Sequence, residues 1–273
     1  MIHAFWSWQL LLAMGLNGVV QTLSIAAYAA RLAGARSGRA GTAMSLFNMF
    51  VTSSRFAQMF YTPMLGSLSD RTTFATLGTF QWQLRAIVFA GTAGAVLGTL
   101  ALPTFVMLYL RAIRALERRG SVPKAFVHMF RPATAAAVLR DVKFGVATRL
   151  RDLSFKHVPK DVLVLNTLVT AIYGIGIVAA AYASVVYPQA ARTALLSSGL
   201  VNGFATIAYN IVVDPASALT TDRAIRGERS IGDVKALVAG LSVTAVLGFL
   251  LSQLLLIPGA MVIEWAARLV SGR

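Results

Sequence analysis

The sequence predicts an all-α fold: a polytopic integral membrane helical bundle of about six transmembrane helices, with both termini outside. Three observations carry this. Of 273 residues, 57% are hydrophobic and only 13% are charged, with a mean hydropathy of +0.69; an average soluble domain carries about 25% charged residues. Six apolar runs are long enough to cross a bilayer, whose hydrocarbon core needs about 20 helical residues. The basic residues fall almost wholly on one side of those runs.

The runs follow in order. The first is Phe5 to Ala30; no Lys or Arg precedes Arg31, so it reads as a span and not as a cleaved leader. The second is Thr42 to Leu65 and the third Ala86 to Leu110, where Pro103 predicts a kink. The fourth runs from Val162 to Tyr187 and ends at Pro188. The fifth runs from Thr193 to Val213, where Asp214-Pro215 is expected to stop it. The sixth runs from Val234 to Ile257 with an apolar tail through Trp265. The whole chain, 1–273, reads as one membrane domain, and no long-period repeat is visible.

Charge sets the orientation. Of 25 Lys and Arg, 19 fall in loops one, three and five, against 5 on the other side; Arg55 lies within a span. The positive-inside rule places the basic loops in the cytoplasm and both termini outside. Loop three, 111–160, holds 12 of these bases and is the largest soluble segment. Within it Leu139, Val142, Val146, Leu150 and Leu153 recur at helical spacing, with Arg140, Lys143, Arg149 and Arg151 on other faces. That pattern fits an amphipathic helix on anionic lipid, and topology alone would also account for the charge. The net charge of +15 could suit nucleic acid, but the bases lie between apolar runs, so the expected partner is anionic membrane lipid and no nucleic acid.

Arg55 is the most informative residue. It sits near the middle of the second run, where a charge costs about 2.5–3.5 kcal/mol on insertion scales, so it should face protein or a wet cavity. Ser45, Asn48, Thr52, Arg55, Gln58 and Thr62 share one helix face. The first run repeats the device with Asn17, Gln21, Ser24, Tyr28 and Arg31. The fourth offers Asn166, Thr170 and Tyr173, and the fifth Asn202, Thr206 and Tyr209. Such stripes either line a polar path or act as interhelical hydrogen-bond glue, worth about 0.6 kcal/mol per contact. No Asp or Glu lies deep in any predicted run, since Asp70, Asp161, Asp214 and Glu264 all fall near ends. An unpaired arginine at depth favours an anionic ligand, and its fork suits phosphate. Gly94-x-x-x-Gly98 and Gly199-x-x-x-Gly203 predict close helix contacts.

Catalytic motifs are missing. There is no cysteine, no phosphate-binding G-x-x-x-x-G-K-[ST] loop, no H-E-x-x-H and no G-x-S-x-G. His3, His128 and His157 have no metal-ligand spacing. The expectation is therefore a transporter and not an enzyme, with no catalytic residues, no metal and no cofactor.

Several segments carry a family resemblance. Thr22-Leu23 through Tyr28, Arg31 through Gly38, Ser45 through Asn48, Ser54-Arg55 and Pro63 through Gly66 do so in the first 70 residues. Asn202 through Ile207, Asp214-Pro215, Thr221-Asp222 and Gly227 continue it. These segments resemble the Amj family of bacterial lipid II flippases, described as alternates to MurJ. The resemblance implies a multi-pass protein of the bacterial cytoplasmic membrane. Its cargo would be lipid II, the undecaprenyl-pyrophosphate-linked peptidoglycan precursor, moved from the inner to the outer leaflet. On that footing Arg55 would hold pyrophosphate, while Arg31, Arg36 and Arg39 would meet it at the cytoplasmic entrance. Asn17, Gln21, Asn48, Gln58 and Asn202 complete the candidate substrate-binding set. The alternatives are a transporter of another anionic or lipid-linked substrate, or a non-transporting assembly subunit.

Overall fold

A computed structural model describes residues 6–119 and 153–272, so the helical pattern centred on Leu139–Leu150 lies outside the described residues. Among the described residues every regular element is helical. The order is α1 (Trp8–Ser37), α2 (Ala40–Asp70), α3 (Leu77–Leu100), α4 (Leu102–Arg119), α5 (Lys160–Val186), α6 (Ala191–Leu196), α7 (Ser198–Ala208), α8 (Asp214–Ile225) and α9 (Ile231–Ser271). A π-helical turn, Tyr209–Val213, joins α7 to α8.

Local chemistry sets the ends. Ser7 caps α1 by accepting from the Leu10 N–H at 3.2 Å. Gly38, at φ +67°, ends it in the left-handed conformation that glycine adopts without steric cost. Ser230 and Asp233 form a reciprocal capping box at the start of α9.

Among the described residues five helical segments are long and apolar enough to cross a membrane: 8–37, 74–100, 160–186, 188–225 and 231–271. The chain is an all-α polytopic membrane bundle. α2, 31 residues long, is not among the five, because its polar stripe lowers its hydropathy. The expected count of six therefore depends on α2.

Three boundaries differ from the sequence reading. The third run begins at Leu77, and the chain turns at Ala101, ahead of Pro103, so α3 and α4 are separate helices. Arg85 consequently lies inside α3 and not in a loop; its guanidinium donates to the Gln253 carbonyl at 2.7 Å. α4 carries Arg111 and Arg114 on a helix at the start of the segment expected to be a loop. Asp214-Pro215 does not stop the fifth segment. The Asp214 N–H donates to the Tyr209 carbonyl five residues back, and α8 continues. A proline lacks its N–H and its ring clashes with the carbonyl four residues earlier; the wider turn makes room for Pro215.

α1 and α5 are the central helices. α1 packs on α2 and α3, and α5 packs on α7 and α9. Buried alanines make this close approach possible, Ala26, Ala29, Ala30 and Ala33 on α1 and Ala179, Ala180 and Ala181 on α5. Two apolar clusters fill the ends. One holds Ile25–Ala35, Leu46, Tyr109, Val162 and Leu237; the other holds Leu10, Leu65, Phe80, Val178 and Leu256. The first cluster marks the basic end, where Arg36 and Arg39 are exposed.

The two glycine pairs part company. A Cβ on Gly94 would stand 2.1 Å from the Gly18 carbonyl oxygen, and one on Gly98 would stand 2.9 Å from that of Thr22. Gly199 and Gly203 face open space, contrary to the expected helix contact. Gly94→Ala is therefore expected to lower stability by about 1–3 kcal/mol through overpacking. Gly203→Ala should leave it unchanged or raise it by up to about 1 kcal/mol through helix propensity. Thermal unfolding of the purified variants in detergent measures both.

Candidate functional site

A recess of about 340 Å³ lies between α2 on one side and α7 with its π turn on the other, with α1 and α5 behind it. α2 and α7 each pack on a central helix but form no packed interface with one another, so the recess is an open cleft between them. The polar stripes converge on it. α1 contributes Gln21, Ser24 and Tyr28; α2 contributes Asn48, Ser54 and Arg55. α5 adds Thr170 and Tyr173, and the α7–α8 segment adds Thr206, Tyr209, Asn210 and Asp214. Met44, Phe47 and Phe249 line the remainder with apolar surface.

Arg55 is exposed to this cleft and has no ion-pair or hydrogen-bond partner among the described residues. Its neighbours Asn48 and Ser54 on α2, with Thr206 and Asn210 opposite, add amides and hydroxyls that can donate or accept. A solvated cleft is the setting in which an unpaired guanidinium at this depth is tolerable. Phe56, Met59 and Phe60 of α2 and Phe204, Ile207 and Ile211 of α7 and its π turn are exposed. Among the described residues the lining thus offers one unpaired cation, Arg55, beside several neutral polar groups.

The buried arginine is Arg31. Its side chain is 1% exposed, and its guanidinium forms a charge-assisted hydrogen bond with Asp214. It also lies over the Phe47 ring, 5.9 Å from the centroid. Asp214, 34% exposed, faces the cleft. The expectation that no acid lies deep in a span is therefore corrected: Asp214 is interior to the segment 188–225, because the π turn carries the helix past it. Tyr209 interacts with both Arg31 and Tyr28. The Tyr28 hydroxyl donates to Asn166 Oδ1 at 3.2 Å, and Asn166 Nδ2 donates to the Leu241 carbonyl at 2.9 Å.

The structure thus sorts the expected residues. Gln21, Asn48 and Arg55 line the cleft. Gln58 lies just beyond the lining, with its Oε1 3.5 Å from the Tyr173 hydroxyl. Asn17 is buried behind the cleft; it donates to the Ile87 carbonyl at 2.9 Å and accepts from Gln21 at 3.1 Å. Arg31 is buried and ion-paired with Asp214, so its guanidinium is not free in this structure. Arg36 is exposed in the last turn of α1, where a cation complements the helix dipole. Arg39 pairs with Glu117 at 2.8 Å. Asn202 turns away from the cleft onto Gly176, where a Cβ would stand 2.0 Å from its Oδ1. Asp214 and Asn210 were not expected. Their signal is the Tyr-Asn-x-x-x-Asp-Pro run, in which a proline inside an apolar segment marks a widened turn.

The ion pair yields an asymmetric prediction. Asp214→Asn strands a fully buried guanidinium, and breaking such a pair costs about 3–5 kcal/mol. Arg31→Met leaves a carboxylate facing a wet cleft and should cost less. The double variant should recover part of the loss seen with Asp214→Asn alone. Unfolding midpoints of the three variants in detergent check the order.

The Amj family, described as alternate to MurJ, matches residues 16–267 of this chain. The protein named lipid II flippase Amj from Bacillus subtilis (strain 168) is 36% identical over 251 residues, covering 92% of this chain and 93% of that protein. No solved structure matches the chain. Both similarities run from α1 to α9 and so include every helix that lines the cleft. The chain belongs to the Amj family.

Proposed function

We propose that this protein is a flippase for lipid II, moving the undecaprenyl-pyrophosphate-linked precursor from the inner to the outer leaflet of a bacterial cytoplasmic membrane. The observation that carries the reading is an unpaired Arg55 in an open cleft between α2 and α7, which we take to open laterally to lipid. Pyrophosphate and sugars cannot enter hydrocarbon unaided, whereas a prenyl chain has no reason to leave it. A lateral cleft meets both demands at once. The guanidinium holds the pyrophosphate through paired N–H donors. Gln21, Asn48, Thr170 and Thr206 offer hydrogen bonds to sugar and peptide. The tail stays outside, against the apolar rims formed by Phe56, Phe60, Phe204 and Ile211.

Arg31 belongs to the scaffold in this reading, and Asn17 and Gln58 position neighbours that reach the cleft. The basic end faces the cytoplasm by the positive-inside rule, placing Arg36 and Arg39 near the anionic inner leaflet. The step is translocation without covalent chemistry, so no catalytic residue is assigned. The relative's name supports lipid II as cargo over other anionic lipids.

Arg55→Ala should fail to sustain growth of cells that lack every other lipid II flippase, with less lipid II exposed in the outer leaflet. Arg55→Lys keeps the charge but loses the fork, and should reduce exposure at least tenfold. Full complementation by Arg55→Ala at normal expression would remove Arg55 from the site. Unchanged outer-leaflet lipid II on depletion of the wild-type chain would point to another anionic cargo.

A further inference from the structure

The two halves of the chain, 8–119 and 160–271, make the same contacts at corresponding positions. A shift of 149 residues carries Asn17 onto Asn166 and the end of α1, Ser37, onto the end of α5, Val186. Each asparagine donates through Nδ2 to a carbonyl at 2.9 Å, Ile87 on α3 and Leu241 on α9. A shift of 154 residues carries Ile87 onto Leu241 and the start of α3, Leu77, onto the start of α9, Ile231. The same shift carries Gly94, pressed on the carbonyl of Gly18, onto Gly248, pressed on the carbonyl of Thr167. It also matches Asn48-x-Phe50-x-Thr52 of α2 with Asn202-x-Phe204-x-Thr206 of α7. Leu102-Pro103 and Ile257-Pro258 follow one residue out of step.

The matched helices run in opposite directions. α1 begins in the cluster that holds Leu10 and ends in the one that holds Ala35, whereas α5 begins with Val162 in the latter and ends with Val185 in the former. α2 and the α6–α8 segment are opposed in the same way, as are α3 and α9. The cleft sits where the halves meet, and its lining respects the pairing. Gln21 faces Thr170, Ser24 answers Tyr173, Val51 answers Ala205 and Arg55 answers Tyr209.

We infer that the chain is an inverted repeat with two exchangeable states, and that the second state opens the two-fold-related recess towards the end opposite the basic one. In the present state the second half carries the break, at Tyr209–Val213, while α2 runs unbroken through the matching positions 55–59. In the other state α2 bends at 55–59, while the α7–α8 segment swings about the wider turn that Pro215 keeps. Asn202 supports this independently. It is the counterpart of Asn48, which lines the cleft, yet its Oδ1 is buried here without a partner. An unpaired buried acceptor calls for an explanation, and a second state in which Asn202 lines a recess, as Asn48 does here, supplies one. Arg55 and its counterpart Tyr209 both line the cleft where the halves meet. Inverted repeats meeting at a midplane site are the usual basis of alternating access in secondary transporters.

The chain contains no cysteine, so introduced thiols report cleanly. Asn202→Cys should react with a membrane-impermeant maleimide applied to whole cells from outside. At the end opposite the basic one, a Cβ on Gly66 would stand 3.9 Å from the Leu195 side chain, across the two halves. Joining Gly66→Cys to Leu195→Cys with a short methanethiosulfonate cross-linker should cut labelling of Asn202→Cys at least tenfold, and dithiothreitol should restore it. Ser69→Cys with Ala181→Cys joins α2 to α5 at the same end if the first pair misfolds; Ser69 Oγ is 3.3 Å from the Ala181 carbonyl. Absent labelling in the free chain, or labelling that ignores the cross-link, overturns the second state. The readout does not depend on the cargo, so failure of the lipid II assay alone leaves this inference standing.

Discussion

Two buried amides hold the molecule together. Asn17 and Asn166 each give a side-chain N–H to a main-chain carbonyl of a neighbouring helix, at 2.9 Å in both cases. In hydrocarbon a main-chain carbonyl already engaged by its own helix gains little from lipid, and an amide gains nothing, so each meeting fixes the register of two helices. Around them the alanine-rich faces of α1 and α5 come close enough for Gly94 and Gly248 to lie on backbone. The cleft lies between α2 and α7, which pack on these central helices and share no packed interface of their own.

Much of this was legible in the chain. The apolar runs announced a helical membrane bundle, and the stripes through Asn48, Arg55, Gln21 and Thr206 announced a polar interior. Periodicity is a local property, and these faces are set within single helices. The residues misread were those whose roles depend on distant partners. Arg31 looked like an entrance charge because Asp214, its partner, is far along the chain behind a proline that ought to end a helix. The π turn removes that ending and brings Asp214 to the buried Arg31. Gly199 and Gly203 carry the same motif as Gly94 and Gly98, yet only the latter pair meets a helix, since the motif states what can approach and not what does.

The repeat escaped notice for a related reason. Membrane helices accept almost any apolar residue on most faces, so two copies drift apart in sequence while keeping their contacts. What survives is what contacts require: an asparagine that reaches a carbonyl, a glycine under backbone, a proline at a bend. Arg55 against Tyr209 and Arg31 against Ala180 mark where the halves have diverged, and both differences fall on or near the cleft wall.

The pairing of Arg31 with Asp214 has an electrical consequence. Because those two charges cancel, the cleft presents a single uncompensated positive charge among the described residues that line it, Arg55. A pyrophosphate esterified at both ends carries two negative charges, so its complex with the cleft stays net negative. Across an inside-negative membrane an elementary charge is worth about 2.3 kcal/mol per 100 mV. For a cargo of that chemistry, the cell's resting voltage alone pushes the loaded site outward and, once the anion has left, draws the emptied guanidinium back.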